Sequence, residues 1–196
     1  MVKDVLDRVA AAAALVLLAP VLLAVAILVR VTSSGPAIHR RRVLGRGGRP
    51  FDAFKFRSMV VDADDLLRTR PELRAAFEAN VKIPNDPRIT ELGQWLRRSS
   101  LDELPQMFNV LCGQMSMVGP RIIAPEEAAR YGKALEKRLS VKPGITGLWQ
   151  VSGRQELDYE RRIALDLHYI DHWSLLLDCV ILLKTIPAVS RMRGAW

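Results

Sequence analysis

The 196-residue sequence is poor in cysteine and histidine, with two and three copies respectively. Cys112 and Cys179 stand in apolar settings without zinc-ligand spacing, so neither a disulfide framework nor a zinc module is predicted, and a reducing, cytosolic location is favoured. His168 and His172 share a helical face, but no third ligand follows at a useful spacing, so aromatic packing is favoured over metal binding. No glycine-flanked serine nucleophile is present, and neither cysteine has a basic neighbour, which argues against serine and cysteine hydrolases.

Basic residues exceed acidic ones by 29 to 21, which gives a net charge of +8. This excess indicates an anionic partner, either nucleic acid, acidic lipid or a phosphorylated substrate. No nucleic-acid-binding module is recognisable among the basic residues, so anionic membrane lipids and phosphorylated compounds are favoured and nucleic acid is not. The glycine cluster at 45–49 lacks Walker spacing, and the extended stretches on either side of it, within residues 37–59, predict a β-hairpin.

One long hydrophobic run, residues 9–29, lies between Arg8 and Arg30. At about 1.5 Å per residue it just reaches across a hydrocarbon core of about 30 Å. Pro20 lies near its middle and removes a helical hydrogen bond. Both flanks are basic, which favours the cytoplasmic side for both ends. The sequence therefore predicts a helix that enters the membrane, bends at Pro20 and returns, with a Pro-kinked transmembrane helix as the open alternative.

The rest of the chain predicts an α+β domain that is predominantly helical. Helices are expected over 62–80 with a break at Pro71, after Thr90, from Asp102 to about Leu111, and over 156–173. In the last of these, Ile163, Leu167 and Ile170 mark the inward face. Residues 174–189 are too short and too charged to span a bilayer, so they form an interfacial helix or pack in the core. We predict residues 1–34 as a re-entrant membrane segment and 35–196 as the cytosolic domain, with interfacial amphipathic helices.

Two adjacent carboxylates, Asp102 and Glu103, directly follow the segment 97–101, which begins with two arginines. Asp is a favoured helix N-cap, and Pro105 is tolerated in a first helical turn because it has no N–H to donate, so capping explains the arrangement. Paired carboxylates beside basic residues are also typical of catalysis on phosphate. Local sequence leaves both interpretations open.

Five motifs, in order along nearly the whole chain, resemble those of the bacterial sugar transferases. These are the monotopic polyprenyl-phosphate phosphoglycosyl transferases, here in their short form. The motifs are residues 54–59 (FKFRSM), 86–90 (DPRIT), 100–106 (SLDELPQ), 117–121 (MVGPR) and 142–154 (KPGITGLWQVSGR). Two positions depart from the family pattern: Ala19 stands where serine often precedes the proline of the helix break, and Ile122 stands where proline often follows the arginine.

The resemblance implies transfer of a sugar 1-phosphate from a UDP-sugar, with glucose or galactose favoured, to undecaprenyl phosphate, with release of UMP. The product would serve exopolysaccharide or other surface glycan assembly, at the cytoplasmic face of the bacterial inner membrane, with Mg²⁺ as cofactor. By position, Asp102 resembles the family nucleophile and a metal ligand, and Glu103 its partner acid. The basic residues implied or predicted to bind substrate are Lys55, Arg57, Arg97, Arg98, Arg121 and Arg154.

Two functions of other classes remain as alternatives. One is a non-catalytic membrane scaffold, which has no need of the paired carboxylates. The other is a membrane-tethered nucleic-acid binder, which would bind in a salt-sensitive way. The sequence leaves open the sugar, the glycan and whether the chain forms a homodimer.

Overall fold

A single helix of 31 residues, α1 (Val2–Thr32), begins the chain. The computed structural model describes residues 2–80, 83, 86–153 and 157–190. The helix continues through Pro20, because one missing hydrogen bond does not end a helix that has long apolar stretches on both sides. By length and composition α1 is sufficient to cross a membrane, and only 11% of its most apolar window is buried.

Both ends of α1 contact the remainder of the protein. Near its start, the Asp7 carboxylate accepts a hydrogen bond of 2.6 Å from the Ser116 hydroxyl. Near its end, Val29 packs in a buried cluster with Phe56 and Leu96. The two ends of this apolar helix are therefore fastened to the same body.

A β-hairpin follows α1, as the sequence predicts. Strands β1 (Ile38–Leu44) and β2 (Pro50–Phe56) pair antiparallel in continuous register. In the turn, Gly47 and Gly48 have φ values of 68° and 72°. Glycine adopts this left-handed conformation without a Cβ clash, so the glycine cluster forms a hairpin turn.

Four helices come next: α2 (Ala63–Thr69), α3 (Pro71–Asn80), α4 (Glu91–Arg98) and α5 (Gln106–Leu111). The predicted break at Pro71 is confirmed, since α2 ends before it. The Thr90 hydroxyl accepts a hydrogen bond of 2.9 Å from the Gly93 N–H and caps α4, as expected.

The predicted helix from Asp102 to Leu111 is wrong at its start. Residues Leu101–Glu103 form a 3₁₀ turn, and α5 begins only at Gln106. Pro105 cannot donate an N–H, so the helical hydrogen-bond pattern is not continued back through it to the carboxylates. Within the described ranges, no side chain caps the turn or α5.

The second half of the domain is also mostly helical. Its elements are β3 (Ser116–Val118), a 3₁₀ run (Pro125–Ala134), α6 (Leu135–Leu139), β4 (Gly144–Thr146), α7 (Leu148–Val151), α8 (Tyr159–Asp171) and α9 (Leu175–Ser190). β3 and β4 pair in parallel. Together these elements confirm a predominantly helical α+β fold.

Helix α8 differs from its predicted packing, whereas α9 combines the two packings that the sequence left open. The fully buried positions of α8 are Asp166 and Tyr169, whereas its three predicted inward-facing aliphatic residues are only half-buried. In α9, Ile181 is buried beside Tyr169, whereas Leu176 is 75% exposed. One side of α9 thus packs in the core and the other presents an apolar surface.

We expect Gly144→Ala to destabilise the fold by about 2 kcal/mol through backbone overlap. A Cβ on Gly144 would lie 2.1 Å from the Gly119 nitrogen and 2.5 Å from the Thr146 oxygen. Gly47→Ala is the control, because a Cβ there meets nothing within 4 Å and only its left-handed conformation (φ 68°, ψ 19°) is unfavourable, by about 1–2 kcal/mol. The melting temperature in detergent should fall further for Gly144→Ala; equal falls would contradict the close approach.

Candidate active site

Two predicted site residues that are distant in sequence, Lys55 and Arg121, come together at the Glu103 carboxylate. Lys55, near the end of β2, donates to Glu103 Oε1 at 2.8 Å. Arg121, in the loop after β3, donates through Nη2 to Oε1 at 2.6 Å and through Nη1 to Oε2 at 3.3 Å. Glu103 is thus held between two cations in a largely buried position.

The neighbouring Asp102 carboxylate is in a different environment. Asp102 is 7% exposed, and none of the described side chains donates a hydrogen bond to it. Burial and the adjacent charge of Glu103 raise the pKa of Asp102 to about 6, against the opposing charges of Lys55, Arg97 and Arg121. A buried, unpaired carboxylate next to cations is available to react with an electrophile or to bind a metal.

The pKa of Glu103 is shifted in the opposite direction, downward. Burial alone would raise its pKa, but the charges and hydrogen bonds of Arg121 and Lys55 outweigh burial and hold the pKa of Glu103 well below its usual range. Two adjacent carboxylates therefore have widely separated pKa values. Such separation assigns them different chemical roles.

Asn109 joins helix α5, which follows the 3₁₀ turn of Asp102 and Glu103, to the hairpin. This fully buried side chain on α5 accepts a hydrogen bond of 3.0 Å from the Phe54 N–H through Oδ1 and donates one of 2.8 Å to the Asp52 carbonyl through Nδ2. Phe54 immediately precedes Lys55. The contact fixes α5 against β2 and so brings Lys55 to Glu103.

Arg97 reaches the site from α4. Its Nε donates to the Ser58 hydroxyl at 2.9 Å, and its charge contributes to lowering the pKa of Asp102. The close approach depends on Gly93, where a Cβ would lie 2.0 Å from the Ser58 carbonyl oxygen. Glycine at this position thus lets α4 lie close enough for Arg97 to face the carboxylates.

Backbone strain lies directly before the carboxylate pair. Ser100 has φ 56° and ψ 17°, and it is the only non-glycine residue with positive φ in the described part of the chain. This left-handed conformation costs a residue with a side chain about 1 kcal/mol and is retained mainly at functional sites. The turn it begins places Asp102 and Glu103 at the site instead of at a helix start, so the capping interpretation of Asp102 is wrong.

The remaining predicted site residues lie elsewhere. The Arg57 guanidinium donates to the Ser33 carbonyl at 2.7 Å and to the Val29 carbonyl at 3.4 Å, so it ties the end of α1 to the hairpin. Arg98 is exposed on α4, and among the residues described it makes no ion pair with the two carboxylates. Arg154 lies outside the described residues.

Sequence reasoning missed Asn109 and also His39. Position 39 is directly opposite Lys55 in the hairpin register. Burial lowers the pKa of His39, and the charge of Lys55 lowers it further. The predicted hairpin was sufficient to identify His39, because pairing its two strands places His39 beside Lys55.

The described residues contain no group of three or more His, Cys, Asp or Glu side chains arranged to hold a metal ion. His168 and His172 stack on each other with ring centroids 4.1 Å apart, which confirms the aromatic packing favoured from the sequence. Mg²⁺ is commonly bound by only one or two carboxylates together with substrate phosphates. The unpaired Asp102 carboxylate fits that mode of binding, whereas Glu103 is already engaged by two cations.

Comparison with known proteins places these features in a family. The family model for bacterial sugar transferases matches residues 1–192. The chain is 48% identical over 166 residues to the undecaprenyl-phosphate galactose phosphotransferase of Salmonella typhimurium, covering 83% of this chain and 35% of that protein. It is 42% identical over 200 residues to the exopolysaccharide production protein ExoY of Rhizobium meliloti, covering 100% of this chain and 88% of that protein.

A third relative is the UDP-glucose:undecaprenyl-phosphate glucose-1-phosphate transferase of Xanthomonas campestris, 44% identical over 202 residues, with 99% of this chain and 40% of that protein covered. The chain thus spans less than half the length of the Salmonella and Xanthomonas proteins. The match over nearly the whole chain, the buried carboxylate pair and its cations lead to one conclusion: this chain belongs to the bacterial sugar transferase family.

Proposed function

We propose that this protein transfers a sugar 1-phosphate from a UDP-sugar to undecaprenyl phosphate through a covalent intermediate on Asp102, with release of UMP. The observation that supports the proposal is the buried Asp102 carboxylate, to which none of the described side chains donates a hydrogen bond. Its neighbour Glu103 is instead bound by Lys55 and Arg121. The names of the relatives, which specify galactose or glucose and a lipid carrier, favour UDP-galactose or UDP-glucose as the donor.

In the first step, an Asp102 carboxylate oxygen attacks the sugar-linked phosphorus of the donor. A new oxygen–phosphorus bond forms, and the bond from that phosphorus to the bridging oxygen breaks. UMP leaves with the electron pair, and the phosphosugar stays on the carboxylate as an acyl phosphate. Only ionised Asp102 can act in this way.

In the second step, a phosphate oxygen of undecaprenyl phosphate attacks the same phosphorus. The bond to the Asp102 carboxylate breaks, and the free carboxylate is restored. The new bond from the lipid phosphate oxygen to phosphorus replaces the bond from Asp102, so no oxidant or further reactant is needed. Glu103 orients Lys55 and Arg121 toward the phosphates through its short hydrogen bonds.

The cations make this attack electrostatically feasible. The donor diphosphate and the Asp102 carboxylate are both anionic and repel each other. Lys55, Arg97 and Arg121 supply fixed positive charge where negative charge accumulates in the transition state. Mg²⁺, when held by Asp102 and the donor phosphates, would neutralise charge on the diphosphate.

Membrane association follows from the location of the lipid substrate. Both ends of the apolar helix α1 are fastened to the same globular part, which supports a helix that dips into the cytoplasmic face of the bacterial inner membrane and returns. The exposed apolar side of α9 offers a second contact with lipid. A simple membrane crossing would separate the two ends of α1.

Thiol accessibility distinguishes re-entry from crossing. Val2→Cys and Ser34→Cys are each made in a Cys112→Ser, Cys179→Ser background. Cells whose inner membrane is intact are treated with a thiol reagent that cannot cross it. Neither position should react until the inner membrane is permeabilised and the reagent reaches the cytoplasm. Labelling of one position only from outside would indicate a transmembrane helix.

The rate of UMP release should rise with pH around a midpoint near 6. The pKa of Asp102 is raised to about 6, so the nucleophilic carboxylate is protonated below this pH and ionised above it. Initial rates between pH 5 and pH 8, measured with donor well below its KM so that they report kcat/KM and the ligand-free enzyme, test this expectation. A rate that falls across this range would contradict Asp102 as nucleophile.

A single assay tests the proposal against its alternatives. The purified protein is incubated with undecaprenyl phosphate, Mg²⁺ and each of several UDP-sugars, and UMP is measured together with radiolabelled lipid product. Matched release of UMP and formation of sugar-diphospholipid is expected with at least one hexose donor. Donor binding without turnover would indicate a scaffold, and salt-sensitive binding of RNA or DNA without turnover a nucleic-acid binder.

A further inference from the structure

A cluster of buried polar side chains contacts the main chain of the loop that contains Arg121. Arg138, on α6, is completely buried, and Asp166, on α8, is 1% exposed. The proposed mechanism uses neither side chain. Charged groups are seldom buried to this extent without a specific structural or functional role.

Arg138 holds the carbonyl groups of the loop. Its Nη2 donates to the Arg121 carbonyl oxygen and, at 3.4 Å, to that of Pro120. The Pro120 carbonyl also accepts a hydrogen bond of 2.8 Å from the Gly144 N–H. The peptide units before and after Arg121 are thereby fixed against α6 and β4.

Asp166 faces the same peptide from α8. Its Oδ2 accepts a hydrogen bond of 3.1 Å from the Tyr131 hydroxyl. Burial raises the pKa of Asp166 to about 7, against the opposing influence of Arg138, the Tyr131 hydroxyl and the Arg121 main-chain N–H. Arg138 thus holds the Arg121 main chain directly, and Asp166, hydrogen-bonded to Tyr131, lies within electrostatic reach of both.

We propose that Asp166 and Arg138 are positioning residues, which hold the main chain at Arg121 so that its guanidinium reaches Glu103 and the donor phosphates. The inference rests on the proposed function, in which Arg121 binds the donor. Asp166 acts through Arg121 and does not touch the substrate. A bidentate arginine contact depends strongly on where its main chain lies, because the fork of donors is rigid.

A double-mutant cycle tests whether Asp166 acts through Arg121. Asp166→Ala should lower kcat/KM for the UDP-sugar about tenfold or more, because it leaves the buried Tyr131 hydroxyl without its acceptor beside the Arg121 loop. Asp166→Asn should stay within about threefold, since its amide oxygen still accepts hydrogen bonds. In an Arg121→Ala background, Asp166→Ala should cost less than about threefold. Equal losses in both backgrounds would overturn the proposal.

Hydrogen–deuterium exchange provides a readout that does not need turnover. Peptides covering residues 119–123 should exchange faster in Asp166→Ala than in the unmodified protein, while the hairpin exchanges as before. If Asp166→Ala fails to fold, Tyr131→Phe, which removes one hydroxyl donor, should produce the same local change on a smaller scale. Unchanged exchange at 119–123 in the folded variants would overturn the proposal.

Asp171→Ala is the matched control. Asp171 also lies on α8 and also contacts α6, through an exposed ion pair with Lys137, but it does not reach the Arg121 loop. It should change neither kcat/KM nor the exchange at 119–123. If the unmodified protein releases no UMP from any donor, the proposed function fails, while the exchange experiment still decides whether Asp166 holds this loop.

Discussion

Asp102→Asn is expected to lower UMP release by about 10³-fold or more and to leave the fold intact. An amide oxygen does not form the acyl phosphate, so loss of the nucleophile removes both steps of the proposed reaction. Initial rates of UMP release, with donor and undecaprenyl phosphate both saturating, measure the effect. Asp62→Asn, which removes an exposed carboxylate, is the control for loss of one negative charge and should stay near the unmodified rate.

The Asp102→Asn variant should also be more stable than the unmodified protein, by an amount that grows with pH. Folding raises the pKa of Asp102 from its ordinary value of 3.8 to about 6, so the unmodified protein loses stability as pH rises between these values. The amide of the variant carries no charge at any of these pH values and avoids that loss. The melting temperature of Asp102→Asn should therefore exceed that of the unmodified protein more at pH 8 than at pH 4. Near-normal turnover, or lower stability at pH 8, would contradict this account.

Arg121→Ala is expected to lower kcat/KM for the UDP-sugar about 10²-fold, through a lower kcat as well as a higher KM. The substitution removes both hydrogen bonds from Arg121 to Glu103 and a donor for the diphosphate, and loss of one such preorganised donor typically costs about 10²- to 10³-fold. Arg121→Lys should recover only part of the loss, because lysine keeps the charge but not the two-pronged contact. Steady-state kinetics with varied donor concentration measure both variants.

The pH profile of Arg121→Ala distinguishes the loss of a positive charge near Asp102 from a general disturbance of the fold. The charge of Arg121 lowers the pKa of Asp102, so its removal should move the midpoint of the acid limb above about 6. Arg42→Ala, which breaks an exposed pair with Asp52, should leave both KM and the profile unchanged, because exposed pairs contribute little. An unchanged KM in Arg121→Ala would count against a role for Arg121 in donor binding.

Local chemistry made the hairpin and several helix boundaries predictable. Glycines at 47 and 48 meet the positive φ of the turn, Thr90 caps α4, and Pro71 ends the preceding helix. Each of these signals acts within a few residues, so one sequence is sufficient to detect it. The same reasoning failed before Asp102, since serine has no strong preference for the left-handed conformation that Ser100 adopts.

Long-range contacts explain the remaining differences. Helical periodicity places Asp166 beside the face of Ile163, Leu167 and Ile170, but only the fold shows that Tyr131, from another element, donates a hydrogen bond to it there. Strand alternation suggests that Arg57 follows Lys55 into the site, but β2 ends at Phe56 and the chain turns toward α1. Lys55 and Arg121, which the motif resemblance implies bind substrate, both contact Glu103, although 48 and 18 residues separate them from it.

The most direct test of the central claim is mass spectrometry of the protein after incubation with a UDP-hexose that supports turnover, without undecaprenyl phosphate. The account predicts a mass increase of one phosphohexose on the peptide that contains Asp102, absent in Asp102→Asn and discharged when undecaprenyl phosphate is added. Accumulation of lipid-linked sugar phosphate with no adduct at any stage of the reaction would contradict it.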